Sequence, residues 1–334
     1  MKTLTLFAVG FGLACAGQTI AQDKPELTIY TYDSFVTEWG PGPQVKQAFE
    51  SECDCTLNLV SAGDGAALLA RLQLEGKQSD ADIVLGLDTN LTMRAKATGL
   101  FTTHGAQSQT FDMPVEWNDT IFLPYDWGYF SFVYDNAKLE NAPDSFEALA
   151  AMPEDFKIVI QDPRSSTPGL GLLLWVKAAY GDRAPEIWAS MAPHILTVTK
   201  GWSEAYGMFL EGEADMVLSY TTSPAYHIYA DKDASKSAAQ FKEGHYMQIE
   251  VAGKLAATDQ SELADQFMAF MVSDKFQTII PTTNWMYPAV KPKGGLPKSF
   301  GHLITPENSL LLDPSTIEAT QKEALQEWLN ALSQ

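Results

Sequence analysis

Cationic side chains are scarce in this chain. Its 334 residues carry 22 Lys and Arg against 42 Asp and Glu, a formal charge of −20 and a pI near 4.5. Nucleic acid is excluded as a partner, because its phosphates need a basic patch. Cysteine is nearly absent, with three residues in all. No four-ligand zinc set can be assembled from them. The catalytic signatures G-x-S-x-G, H-E-x-x-H, the phosphate-binding P-loop and G-x-G-x-x-G are missing. Five histidines (His104, His194, His227, His245 and His302) are scattered without metal-ligand spacing. After the first residues no apolar run reaches the length of a membrane-spanning helix. Disorder is excluded too, since hydrophobic residues make up 46% and charged ones 19%. The chain is long enough for one large or two medium domains.

The N-terminus has the form of an export leader, residues 1–21. Lys2 is its basic region and Leu4 to Ala16 its apolar stretch, too short to span a bilayer. Thr19-Ile20-Ala21 places small residues at the cleavage position, with cleavage expected after Ala21; Ala14-Cys15-Ala16 is a second candidate. Loss of Lys2 leaves 21 basic and 42 acidic groups, 21 − 42 = −21. Cys53 and Cys55 remain, in a Cys-Asp-Cys triplet. They are either a tight local disulfide or two free thiols, and in both cases structural.

Strand-like and helix-like segments alternate. Leu27–Tyr32, Thr56–Val60 and Asp82–Leu87 are strands. Helices are expected after Pro43, through Leu68, Leu69 and Leu72, and from Leu91 to Thr98. This rhythm predicts a mostly parallel sheet with helices on its faces. The aromatic stretch Phe122–Tyr134 is long enough to run from one domain into another, and Tyr246–Val251 can carry the chain back. Between them lie further α/β elements, with a strand at Lys157–Ile160, a helix at Gly171–Tyr180 and a strand at Met216–Tyr220. The C-terminal third reads as helical, at Glu262–Val272, Asp274–Ile280 and Ser315–Leu332. Two α/β lobes joined by two crossings place a cleft between them, where ligands favour the carboxyl ends of parallel strands.

Aromatics mark that cleft. Tyr30, Tyr32, Trp39, Trp202, Tyr220, Tyr226, Trp285 and Tyr287 lie near strand ends, several beside Gly, Pro, Asn or Ser. Core aromatics sit instead within apolar runs, as Phe209 and Phe267 do. Such a set, converging from both lobes, forms a box for flat or quaternary cations, at about 0.5–2 kcal/mol per contact. The acidic balance suits a cationic ligand and equally a solvated surface. Asp162-Pro163-Arg164-Ser165-Ser166-Thr167-Pro168-Gly169 precedes a helix, so its hydroxyls and free N–H groups either cap that helix or meet an anion. Asp64, also before a helix, is either its N-cap or an acceptor for a ligand amino group.

Several blocks resemble the bacterial periplasmic thiamine-binding proteins. They are Tyr30-Thr31-Tyr32-Asp33-Ser34-Phe35 with Trp39-Gly40-Pro41-Gly42-Pro43, the run Gln161 to Trp175, Thr197 to Gly207, Leu218 to His227, and Asn284-Trp285-Met286-Tyr287-Pro288. They follow one another in the family's order from about Leu27 to Tyr287. The resemblance implies the type II periplasmic binding protein fold, with lobe 1 at 22–127 and 251–334 and lobe 2 at 128–250. It implies a receptor that closes on thiamine or its mono- and diphosphate and delivers it to an inner-membrane ABC permease. No cofactor, metal or catalysis is implied, and a monomer is expected. Tyr32, Tyr226 and Trp285 would box the rings, with Trp39, Trp202 and Tyr220 extending the wall. Asp64 and Gly65, facing Ser166 and Thr167, would make polar contacts, with Ser166 on the phosphate side. Ser223 and Asn284 complete the expected ligand-binding set. Thiamine chemistry agrees with these residue types: its thiazolium is permanently cationic and its aminopyrimidine needs an acceptor. Two related readings compete. A ferric-ion binding protein would use clustered tyrosines, and a thiamine-degrading transferase of similar fold would need a nucleophilic cysteine in the cleft.

Overall fold

The computed structural model describes residues 24–106 and 109–333. The leader, residues 1–21, lies outside the described residues. Strands run in the order β1 (Glu26–Thr31), β2 (Thr56–Ser61), β3 (Ile83–Asp88), β4 (Phe122–Asp135), β5 (Ile158–Gln161), β6 (Ile195–Thr199), β7 (Met216–Tyr220), β8 (Lys236–Ala238), β9 (His245–Lys254), β10 (Tyr287–Pro288) and β11 (Ser309–Leu310). The α-helices are α1 (Asp33–Val36), α2 (Gly42–Cys53), α3 (Gly65–Glu75), α4 (Thr92–Ala97), α5 (Phe146–Ala150), α6 (Thr167–Tyr180), α7 (Ala184–Met191), α8 (Trp202–Leu210), α9 (Pro224–Tyr226), α10 (Ser261–Met271), α11 (Asp274–Thr283) and α12 (Pro314–Leu332).

The main path of the sheet is β2-β1-β3-β9-β4-β7-β5-β6. Its two ends are parallel: β1 pairs with β2 and β3, and β5 with β6 and β7. The antiparallel pair β4 and β9 joins them. β4 pairs with β9 over Phe122–Tyr129 and with β7 over Phe130–Tyr134, so it passes from one lobe to the other near Tyr129. The protein thus has two α/β lobes, joined by crossover strands around a cleft. Each parallel half ends its strands toward that cleft, as the connectivity of such sheets dictates.

Local signals explain the boundaries. Ser145, Ser273 and Asp313 accept backbone N–H bonds at the starts of α5, α11 and α12. Pro43 stands in the first turn of α2, where its missing N–H costs nothing. Helix α6 starts at Thr167, four residues before the expected Gly171, because Pro168 occupies its first turn. The C-terminal third is less uniformly helical than expected, since β10 and β11 add short pairings to β4 and β9. Strand β6 and the short helices α7 and α8 add to the expected elements; α7 buries Ala184, Ile187, Trp188 and Met191 at helical spacing, and α8 buries Ala205, Tyr206 and Phe209.

Two large cores flank the sheet. One gathers Phe132, Phe146, Trp175 and Phe241 against β4 and β9; the other packs Phe49, Phe267, Phe270 and Phe276 between α2, α10 and α11. Each such ring stabilises by about 1.5–3 kcal/mol through burial. Tyr30 belongs to this packing and not to the cleft: it is 2% exposed, with the Arg71 guanidinium 4.1 Å above its ring. Tyr287 likewise stacks on Trp127 at 4.7 Å. Cys53 and Cys55 are joined in a disulfide at the end of α2. Among the described residues no helix is long and apolar enough to cross a membrane.

Candidate functional site

Ten of the twelve expected residues line one cavity of about 710 Å³ between the lobes: Tyr32, Trp39, Asp64, Thr167, Trp202, Tyr220, Ser223, Tyr226, Asn284 and Trp285. Gly65 and Ser166 stand just behind the wall. No lysine, arginine or histidine lines it.

The rim is aromatic. Trp202 is the first residue of α8, not a loop residue as its Gly-Trp-Ser context suggested. Its ring stacks on Tyr206 at 4.9 Å and meets Trp39 from the opposite lobe at 6.2 Å. The Trp202 indole N–H donates to Ser219 Oγ at 2.8 Å, and Ser219 Oγ lies 2.7 Å from Ser223 Oγ. Ser223 therefore braces the wall. Across the cavity, Trp285 meets Tyr226 edge to face at 5.4 Å and Tyr229 at 5.6 Å. Trp285 holds φ +57°, in the left-handed region that a bulky residue rarely adopts. The turn after α11 is thus held in a strained conformation that presents this ring. Trp39 is 54% exposed and Tyr226 37%, which leaves apolar faces at the mouth of the cleft.

The floor is polar. The Tyr32 hydroxyl lies 3.1 Å from both Glu250 Oε2 and Asn284 Oδ1. Tyr125 donates to the same Glu250 oxygen, and Gln248 Nε2 donates to Glu250 Oε1 at 2.8 Å. Tyr220 donates to Gln248 Oε1 at 2.8 Å, and Asn284 Nδ2 to Asp126 Oδ2 at 2.7 Å. Burial, with the nearby carboxyls, pushes Glu250 up to about 7, and Asp126 well above the usual carboxylate range. The same burial holds Tyr32, Tyr125 and Tyr220 protonated. Gly86 makes room for Tyr32: it has φ +103°, and a Cβ there would stand 2.2 Å from Tyr32 Cδ1. That glycine coincides with a shift in the β3–β9 register between Leu85 and Leu87.

At the cleft the lobes meet in a polar seam, separate from the packing of α12 on α6 and α7. Ser166 Oγ donates to Asp64 Oδ2 at 2.7 Å, and Ala67 N donates to Ser165 O at 3.1 Å. Neither Asp64 nor Ser166 caps its own helix through its side chain. Ser166 is fully buried, so its hydroxyl faces Asp64 rather than open cavity. Asp64 keeps some exposed surface, yet enclosure of its carboxyl raises it to about 6, opposed by Ser166 and the Trp202 backbone N–H. A Cβ at Gly65 would fall 2.2 Å from Thr167 Oγ1, so the seam closes only over glycine.

Sequence reasoning missed Glu250, Tyr206 and Met286 as lining residues. For Glu250 a signal existed: an acid within the crossing strand Met247-Gln248-Ile249-Glu250-Val251, where every position is buried. Tyr206 gave none, since it reads as an ordinary apolar-face residue one turn after Trp202.

The described surface has counterparts. A family model described as bacterial extracellular solute-binding protein matches residues 79–299. The thiamine-binding periplasmic protein of Escherichia coli is 52% identical over 321 residues, 96% of this chain and 97% of that protein. A solved periplasmic thiamin binding protein superposes with a TM-score of 0.91 at 51% identity, covering 97% of this chain and 100% of the other. A ferric binding protein from Campylobacter jejuni shares the fold at TM-score 0.73 and 20% identity, covering 91% of this chain and 99% of its own. With a two-lobed fold, an interlobe cavity and a family match across more than half its length, the chain belongs to the bacterial extracellular solute-binding proteins.

Proposed function

We propose that the protein is a periplasmic receptor that captures thiamine in the interlobe cavity and hands it to an inner-membrane ABC permease. It is a binding protein and not an enzyme. The observation that carries this reading is the composition of the cavity wall: aromatic rings from both lobes, the carboxyls of Asp64 and Glu250, several serine and threonine hydroxyls and no basic side chain. Indole and phenol faces attract a thiazolium ring. Asp64 offers an acceptor to the aminopyrimidine. The 52% identity over 96% of the chain to a named thiamine-binding periplasmic protein supports the same ligand.

The lobes, expected as 22–127 with 251–334 and as 128–250, close when a ligand bridges them, and the Asp64–Ser166 seam seals the closed state. The expected boundary is corrected at its end, because α12 packs on α6 and α7, with Lys177 paired to Glu327, and so stands with the second lobe. Mono- and diphosphate esters of thiamine are admitted beside Thr167, at the N-terminus of α6, since the Ser166 hydroxyl is turned to Asp64. The receptor acts as a monomer, without cofactor, and is exported by removal of residues 1–21.

Nothing in the cavity favours the competing readings. The Tyr220 hydroxyl is engaged by Gln248, and among the described residues no three His, Cys, Asp or Glu side chains are placed to hold a metal. The two described cysteines are bonded to each other and do not line the cavity. Calorimetric titration with thiamine tests the proposal: Trp285→Ala and Tyr226→Ala each weaken binding at least about tenfold, near 1.4 kcal/mol. Unchanged affinity in both variants removes the aromatic box.

A further inference from the structure

Three buried acids stand side by side across the middle of the sheet. Glu250 on β9 is in register with Asp126 on β4 and with Asp88 on β3. Asp88 and Asp126 are fully buried, and Glu250 is 7% exposed, its edge forming part of the cavity wall. The groups facing Glu250 are Tyr32 after β1, Asp88 on β3, Tyr125 and Asp126 on β4, Gln248 on its own strand, Asp64 before α3 and, through Gln248, Tyr220 on β7. Asn284 after α11 holds Asp126. Carboxyls, phenols and amides surround this pair, and the wall beside it carries no cation. Asp126 Oδ1 finds no hydrogen-bond donor among the described residues, although it is enclosed. Two neighbouring carboxylates in such a place cannot both ionise; they keep one proton between them.

We propose that the Asp126–Glu250 pair is the charge sensor of the cavity: it shares a proton in the free receptor and releases it to solvent when a permanently cationic ring enters, which selects cationic rings over uncharged ones of the same shape. The inference rests on the thiamine reading above and deepens it. A fixed positive charge beside Glu250 lowers the energy of the ionised pair by a Coulomb term that a low-dielectric wall does not screen. An uncharged ring supplies the same stacking and none of that term. Glu250 thus sets specificity, while the aromatic rim provides most of the contact area.

The sign of the pH dependence follows. In the free receptor Glu250 sits at about 7. The cation favours its ionised form, so affinity is full above that value and is lost as pH falls through it, by up to about tenfold per unit. Asp64, held near 6, is already ionised at about pH 7.5 and does not contribute there.

Calorimetry in two buffers of unlike ionisation enthalpy, at about pH 7.5, reads the proton directly. The ligands are thiamine and its uncharged thiophene isostere. Thiamine is expected to release a measurable fraction of a proton and the isostere none, with the isostere at least about tenfold weaker. Glu250→Gln abolishes the release and narrows the thiamine-to-isostere ratio at least about tenfold. Asp126→Asn removes the carboxyl that shares the proton but not the burial that raises Glu250, so release persists from Glu250 and the ratio is kept. Equal proton counts for the two ligands in the native protein overturn the charge sensor, and this arm needs no variant to fold. An unchanged ratio in folded Glu250→Gln overturns it as well. Absence of any binding heat with thiamine overturns the ligand reading instead, which separates the two failures.

Discussion

The rim and the floor of the cavity are built on opposite principles. The rim rings sit where strands and helices give way to turns: Trp39 after α1, Trp202 at the start of α8, Tyr226 in α9 and Trp285 after α11. They are partly exposed and come from both lobes. The floor is formed by Tyr32, Gln248, Glu250 and Asp126, tied to one another and mostly sealed from water. Stacking surfaces tolerate small movements, so they can ride on lobes that open and close. A buried carboxyl network tolerates none, so it is carried on β4 and β9, the pair that spans both lobes.

If closure is what unites rim and floor, the largest effect belongs to the seam. Gly65→Val puts a branched side chain into Thr167 and holds the lobes apart. Thiamine affinity should fall by about a hundredfold, about 2.7 kcal/mol, and the melting temperature without ligand should fall as well, because the new Cβ also stands 2.9 Å from Gly86 O within its own lobe. Fluorescence titration checks the first and differential scanning calorimetry the second. Wild-type affinity in that variant contradicts closure over Gly65.

Single rim rings come next, at the tenfold or more given above for Trp285→Ala and Tyr226→Ala. A smaller loss is expected for Ser166→Ala, which leaves the Asp64 carboxyl without its side-chain donor. Its cost is about 1 kcal/mol, roughly fivefold in affinity by calorimetry. The loss of that donor also raises the Asp64 carboxyl further, so the variant weakens more than the native protein as pH drops from about 7 to about 6. Smallest of all is the paired substitution of Cys53 and Cys55 by serine. The bond closes a very short loop remote from the cavity, so affinity is unchanged and stability falls by no more than about 1–2 kcal/mol in a urea melt.

This contrast also explains what could be read from the sequence. The rim was legible because aromatic residues beside Gly, Pro, Asn and Ser do not behave as core, and because Asn284-Trp285-Met286-Tyr287-Pro288 and its companion blocks carry a family pattern. The long crossing at Phe122–Tyr134 was legible from its length and apolar run. The floor was not. Whether an acid in an acidic chain is solvated or buried depends on which strand lies beside it, and the Asp126–Glu250 and Asp88–Glu250 pairings join positions far apart in the chain. Gly86 was invisible for the same reason, since only the approach of Tyr32 shows why a side chain cannot stand there. Tyr30 and Tyr287 show the converse error. Their local context matches the rim, yet tertiary packing places one under Arg71 and the other on Trp127.

Native mass spectrometry of the protein as isolated from the periplasm bears most directly on the central claim. The account predicts a population carrying one thiamine, or one of its phosphate esters, which added thiamine drives to full one-to-one occupancy. A protein that arrives bare and takes up no thiamine when the vitamin is supplied in excess would contradict it.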